Sequence, residues 1–125
     1  MLSSIDLERS VFRALATGAS IVCAAVIAYL SLAPADGLPN VIWWDKAQHF
    51  IAYAALGAPL SIALGRSRWL IAIALATAYG AMMELAQGTL TDGRSAELFD
   101  GIANACGACA GVAFGYILLI SFRRI

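Results

Sequence analysis

Charge is scarce in this chain. Asp, Glu, Lys and Arg make up only 13% of its 125 residues, against 62% hydrophobic residues. That balance excludes a soluble helical bundle, in which every helix needs a polar outer face. Basic and acidic residues number eight each, so no basic excess attracts nucleic acid, and no interleaving of aromatic and basic residues marks such a surface. There is one histidine, His49, which excludes a zinc site made from two or three imidazoles of a single chain. No serine or cysteine is placed beside it as an evident nucleophile. Ser61 lies three turns further along and Ser95 falls in a loop, so a catalytic triad has no support. Cys106 and Cys109 have C-x-x-C spacing, but they lie mid-segment among Gly and Ala. Low dielectric leaves a thiol inert there, and with Cys23 they read as small packing residues.

What the chain does have is length without charge. Four apolar segments can be drawn, Ala14 to Leu32, Ala47 to Gly65, Trp69 to Leu90 and Leu98 to Phe122, each about as long as a bilayer core demands. The expectation is one domain over residues 1–125: an all-α, integral membrane four-helix bundle. Ser3 or Ser4 caps an initial helix ahead of the first span. Ala33-Pro34-Ala35 imitates a signal-peptide cleavage site, but the preceding apolar run exceeds the roughly 7 to 15 residues of a signal core, so retention is expected. Arg9, Arg13, Arg66, Arg68, Arg123 and Arg124 fall on one side of the spans, and only Lys46 and Arg94 on the other. Positive residues stay in the cytoplasm. Both termini are therefore expected there, with the loops Asp36 to Lys46 and Thr91 to Glu97 facing outward.

Local signals fill in the spans. Trp43-Trp44 is an interfacial anchor, and Gly65-Arg66-Ser67-Arg68 is a tight turn that makes spans two and three antiparallel neighbours. Pro59 inside span two removes a backbone hydrogen bond and presses on the carbonyl of Ala55. Ser95 is the expected cap of span four. Gly107, Gly111 and Gly115, with Gly57 and Gly80 on spans two and three, let helix backbones approach closely in lipid. The span-four stripe packs within the chain or joins two copies as a homo-oligomer.

The polar residues of the spans share faces. Asp45, His49 and Tyr53 follow each other at four-residue spacing, Glu84 and Gln87 lie on one side of span three with Gly80, and Asp100 and Asn104 run into the glycine stripe. Glu84 sits about six residues, roughly 9 Å, below the outer end of its span, a depth that His49 and Asn104 reach from the opposite chain direction. A carboxylate inside a span costs about 2.5 to 3.5 kcal/mol. Its company with an imidazole and two amides reads as an outward-facing polar site more than as hydrogen-bonding glue between helices. In an enzyme, His49 would be the base, Asp45 its orienter, and Glu84 or Asp100 an acid. In a binding protein, Lys46, Tyr53, Gln87, Arg94 and Asn104 would hold the ligand, with Arg94 either gripping an anion or pairing with Asp100. Asp45, Glu84, Asp100 and Asn104 offer oxygens, but no spacing motif demands an ion. No metal and no cofactor are expected.

The ordered set Asp45-Lys46, His49-Phe50, Tyr53, Leu56-Gly57, Glu84, Gln87, Gly93-Arg94, Asp100, Asn104, Gly107 and Gly111 resembles the VanZ-like family of small bacterial membrane proteins. The resemblance covers roughly the last two thirds of the chain, and span one carries no part of it. It implies a multi-pass protein of the bacterial cytoplasmic membrane and a link, through the member that names the family, to teicoplanin resistance. The expected ligand is a membrane lipid, a lipid-linked cell-envelope molecule or a lipoglycopeptide. The alternative is an intramembrane hydrolase or transferase acting on a lipid or polyprenyl phosphate. No nucleic-acid partner is expected.

Overall fold

A computed structural model describes residues 4–34, 45–93 and 95–122. It is all-helical: α1 (Ser4–Leu32), α2 (Asp45–Leu64), a single 3-10 turn at Arg66–Arg68, α3 (Trp69–Leu90) and α4 (Leu98–Ser121). All four helices are long and apolar enough to cross a membrane. Their outer surfaces bear Leu15, Ile21, Leu70, Leu75, Leu85 and Phe114 exposed, as lipid-facing positions should be where hydrocarbon replaces water. Trp43-Trp44, Arg94, Arg123 and Arg124 lie outside the described residues.

The helix ends differ from expectation in instructive ways. The initial helix and span one are a single helix of 29 residues, since nothing between Arg9 and Ala14 breaks it. At about 1.5 Å per residue it outruns a hydrocarbon core of about 30 Å, so its charged first turns project beyond the apolar region. Span two begins at Asp45, two residues before its apolar run, with that carboxylate in the positive first turn. Ser95 is not the cap of α4: Glu97 holds the N-cap position, without a side-chain cap bond, and its carbonyl accepts from the amides of Asp100 and Gly101.

Helix α2 is the hub. It touches α1, α3 and α4, and its interface with α4 is the largest in the bundle. The reason is the glycine stripe. A Cβ built on Gly107, Gly111 or Gly115 would collide with the backbone carbonyl oxygens of Phe50, Ala54 and Ala58 in turn, and a Cβ on Gly57 would lie 2.7 Å from the carbonyl oxygen of Ala108. The two backbones are thus in direct contact for three turns, the close approach that only glycine permits. The stripe is spent inside the chain, so a second copy would reach it only if α4 left α2. Spans two and three are in contact as expected, with Gly80 leaving room for Asn104 and Tyr53, whose atoms lie 3.0 and 3.1 Å from where its Cβ would be.

Helix α1 is fastened to this pair by three side chains. Pro59 lies inside the continuous α2 and cannot donate to the carbonyl of Ala55; the Cys23 thiol donates to that oxygen instead, at 3.5 Å. Tyr79 of α3 donates its hydroxyl to the carbonyl of Ala24 at 2.6 Å. Arg13 donates to the carbonyls of Ala63 and Leu64 at 3.0 and 3.1 Å, placing a cation on the negative end of α2. There the chain turns through Gly65, whose φ of 84° suits glycine. Cys23 is therefore more than a packing residue. Cys106 and Cys109 are less than one, because both are exposed on the outer surface of α4.

Candidate functional site

The polar residues of α2, α3 and α4 meet at the end of the bundle where α2 begins and α3 finishes. Glu84, Gln87, Asp100 and Asn104 are all buried there, Asn104 to 1% exposure. A carboxylate or an amide buried at such a depth is costly without a polar partner.

A relay of hydrogen bonds runs from α3 through α4 to α2. The amide nitrogen of Asn104 donates to Glu84 Oε1 at 3.3 Å, which turns the amide oxygen toward His49, 2.9 Å from its Nδ1. An amide oxygen only accepts, so Nδ1 carries a proton. Glu84 Oε1, 3.5 Å from the same nitrogen, favours that tautomer too. The other ring nitrogen, Nε2, then points its lone pair in neutral His49 toward Asp45 Oδ2 at 3.8 Å and Asp100 Oδ2 at 3.7 Å. Those separations are too long for hydrogen bonds. The orienter of His49 is therefore Asn104, backed by Glu84. Asp45, expected in that role, stands off from the ring with 61% of its side chain exposed.

Lys46 forms a second layer. Its ammonium bonds Asp100 Oδ1 closely and Glu97 Oε2 at 2.8 Å, and lies 3.8 Å from Asp45. Asp100 has Lys46 as a partner; the alternative roles of Arg94, gripping an anion or pairing with Asp100, lie outside the described residues. Glu97 was missed altogether, yet it accepts from Lys46 and its backbone amide approaches Glu84 Oε2 at 3.4 Å. Its position, three residues ahead of Asp100 at the mouth of α4, was the available signal. Tyr53, 2% exposed, lies one turn beyond His49 with its hydroxyl unpartnered among the described residues. Gln87 is buried one turn from Glu84.

Beside the cluster an apolar groove of about 530 Å³ runs between α1 and α2, walled by Val22, Val26, Leu30 and Ile51 and floored by Gln48, Ala52 and Ala55. Residues 45, 48, 52 and 55 fall on one row of a helix. The groove floor therefore leads to Asp45 and the polar cluster. At the far end of the bundle, Arg9, Arg13, Arg66 and Arg68 line a basic recess with Gly65.

A model of the family described as VanZ/LLP1 matches residues 8–120. The match reaches back through α1, which the motif resemblance had left outside. No curated protein and no solved structure matches the chain.

Proposed function

The chain belongs to the VanZ/LLP1 family, and from that premise we propose that it binds an amphiphilic cell-envelope molecule in the outer leaflet of the bacterial cytoplasmic membrane. The polar head, of a lipid-linked envelope precursor or a lipoglycopeptide, meets Asp45, Lys46 and His49, and an acyl or prenyl chain lies in the groove between α1 and α2. One observation carries this reading: the groove floor of Gln48, Ala52 and Ala55 lies on the helix row that Asp45 begins, one turn before His49. Hydrocarbon alone would need no acid and imidazole at its upper end, and a soluble headgroup would need no groove. The four arginines of the basic recess at the opposite end support termini in the cytoplasm, and the association of the family's namesake with an acyl-tailed glycopeptide points to the same class of ligand.

A reaction on such a molecule is the second reading, favoured by one feature. His49 is held from behind with Nε2 facing open groups, as a general base acting on water would be.

Native mass spectrometry of the detergent-solubilised protein, titrated with total lipid extract from bacterial membranes, tests the binding reading. Val26→Trp fills the groove from its half-exposed wall without touching the cluster. Wild type should retain a lipid adduct of defined mass that this variant loses by at least about fivefold, on the order of 1 kcal/mol. Equal retention by both would refute the groove as the chain site. Turnover of the retained lipid would select the second reading.

A further inference from the structure

We infer that Asp45, His49 and Asp100 form a binding site for a divalent metal ion of the manganese or zinc type, held by Asp45 Oδ2, His49 Nε2 and Asp100 Oδ2. One ligand atom from each residue lies within 4.8 Å of the others, and the two separations from Nε2 are 3.7 and 3.8 Å. Ligands on a tetrahedral centre with bonds of about 2.1 Å stand about 3.4 Å apart, so the two separations from Nε2 need close by only a few tenths of an ångström. Two carboxylates and one imidazole suit Mn2+ or Zn2+ better than Ca2+, which takes an all-oxygen shell.

Proximity of acids alone would not carry the inference. What carries it is the way the imidazole is held. Glu84 fixes the Asn104 amide, Asn104 fixes the proton on Nδ1, and Nε2 is left facing two carboxylate oxygens with no hydrogen bond to either. A metal-bound histidine is typically arranged in this way, its second nitrogen donating to a fixed acceptor that sets tautomer and ring orientation. Asp100 is 5% exposed. Its Oδ1 is taken by Lys46 while Oδ2 is turned to His49, so one buried carboxylate serves a fixed cation on one side and keeps an oxygen for a second cation on the other. In helical terms, Asp45 and His49 supply the i, i+4 pair on α2, and Asp100 closes the site from the first turn of α4.

The ion would also settle an electrostatic problem. Three carboxylates, Asp45, Glu97 and Asp100, surround one ammonium, Lys46, a fourth, Glu84, stands behind His49, and a phosphate headgroup would be repelled by the excess. A dication bridging Asp45 and Asp100 turns the mouth of the groove into an anion acceptor. That consequence rests on the lipid-binding reading; the ion site does not.

The test uses Mn2+ alone on the full chain in detergent, without lipid, with free Mn2+ read by electron paramagnetic resonance. Wild type should take up one equivalent. Asp45→Asn, which alters an exposed side chain at the start of α2 and leaves the relay intact, should weaken uptake by at least about tenfold. Glu84→Gln, which touches no ion, should weaken it by about 10- to 100-fold through the tautomer of His49. Asp92→Asn, in the turn after α3, should change nothing. No uptake by wild type, or equal uptake by wild type and Asp45→Asn, overturns the proposal. Lipid retention by the ion-free protein is scored separately, so either reading can fail without the other.

Discussion

Gly111→Ala is expected to destabilise the bundle by about 3 kcal/mol or more, while Gly101→Ala, ten residues earlier on the same helix, leaves it unchanged or slightly more stable. The added Cβ at 111 would overlap the carbonyl oxygen, carbonyl carbon and Cα of Ala54, whereas at 101 it meets nothing within 4 Å. Overpacking of a tight contact costs about 1 to 3 kcal/mol when side chains can yield. Here the obstacle is the backbone of a helix with a second helix-on-helix contact one turn away on each side, at Gly107 and Gly115. Relief requires α2 and α4 to separate. At Gly101 the only change is the better helix propensity of alanine, worth about 0.5 to 1 kcal/mol. Reversible unfolding in mixed detergent micelles, followed by circular dichroism, measures both. The site would feel the separation too, because His49 and Phe50 are neighbours on α2 and Asn104 lies one turn before Gly107 on α4. A parting of the backbones lengthens the 2.9 Å contact that orients His49.

The second large effect belongs to Asn104. Replacing it by leucine keeps its branched shape and number of heavy atoms but removes an acceptor from His49 and a donor from Glu84. Each buried group left unpaired costs about 1 to 3 kcal/mol, with the upper figure for a charged one. Asn104→Leu should therefore lose about 2 to 4 kcal/mol in the same unfolding measurement. Asn104→Asp should also fall, because it keeps an acceptor for His49 but sets a second carboxylate against Glu84, 3.3 Å away. Adding Glu84→Gln to Asn104→Leu should recover part of the loss by removing the stranded charge. Additive losses in the double variant would show that the two residues are not coupled, contrary to the relay.

These predictions divide the cluster into two layers. Asn104 and Glu84 hold; Asp45 and His49 Nε2 face outward. The sequence made the meeting of His49, Glu84, Asp100 and Asn104 legible, because ionisable groups in a span have few places to go and their spacing put each on one helix face. It did not show the pairing inside that meeting. Lys46 answers Asp100, and Asn104, rather than Asp45, orients His49, because the rotation of one helix about another is set by packing that no local spacing encodes. The glycine stripe announced a close helix contact but not its partner, since Gly57 on α2 and Gly80 on α3 were both available; the structure sets Gly57 against Ala108. Pro59 foretold a bare carbonyl at Ala55, but the Cys23 thiol that reaches it comes from a helix 32 positions back and left no pattern to find. Span two starts earlier than its apolar run indicates, because polar residues carry the helix back to Asp45.

The measurement that bears most directly on the cluster as a ligand site is thermal melting of wild type and Asp45→Asn in mild detergent, each before and after adding bacterial lipid extract. Functional groups are commonly held at no benefit to stability, and Asp45, with most of its side chain exposed, makes no hydrogen bond with His49. The variant should melt at or above wild type in lipid-free detergent, and added lipid should raise only the wild type, as ligand binding to the native state requires. A variant that melts well below wild type without lipid, or that gains as much from lipid as wild type does, would contradict the account and make the polar layer a scaffold.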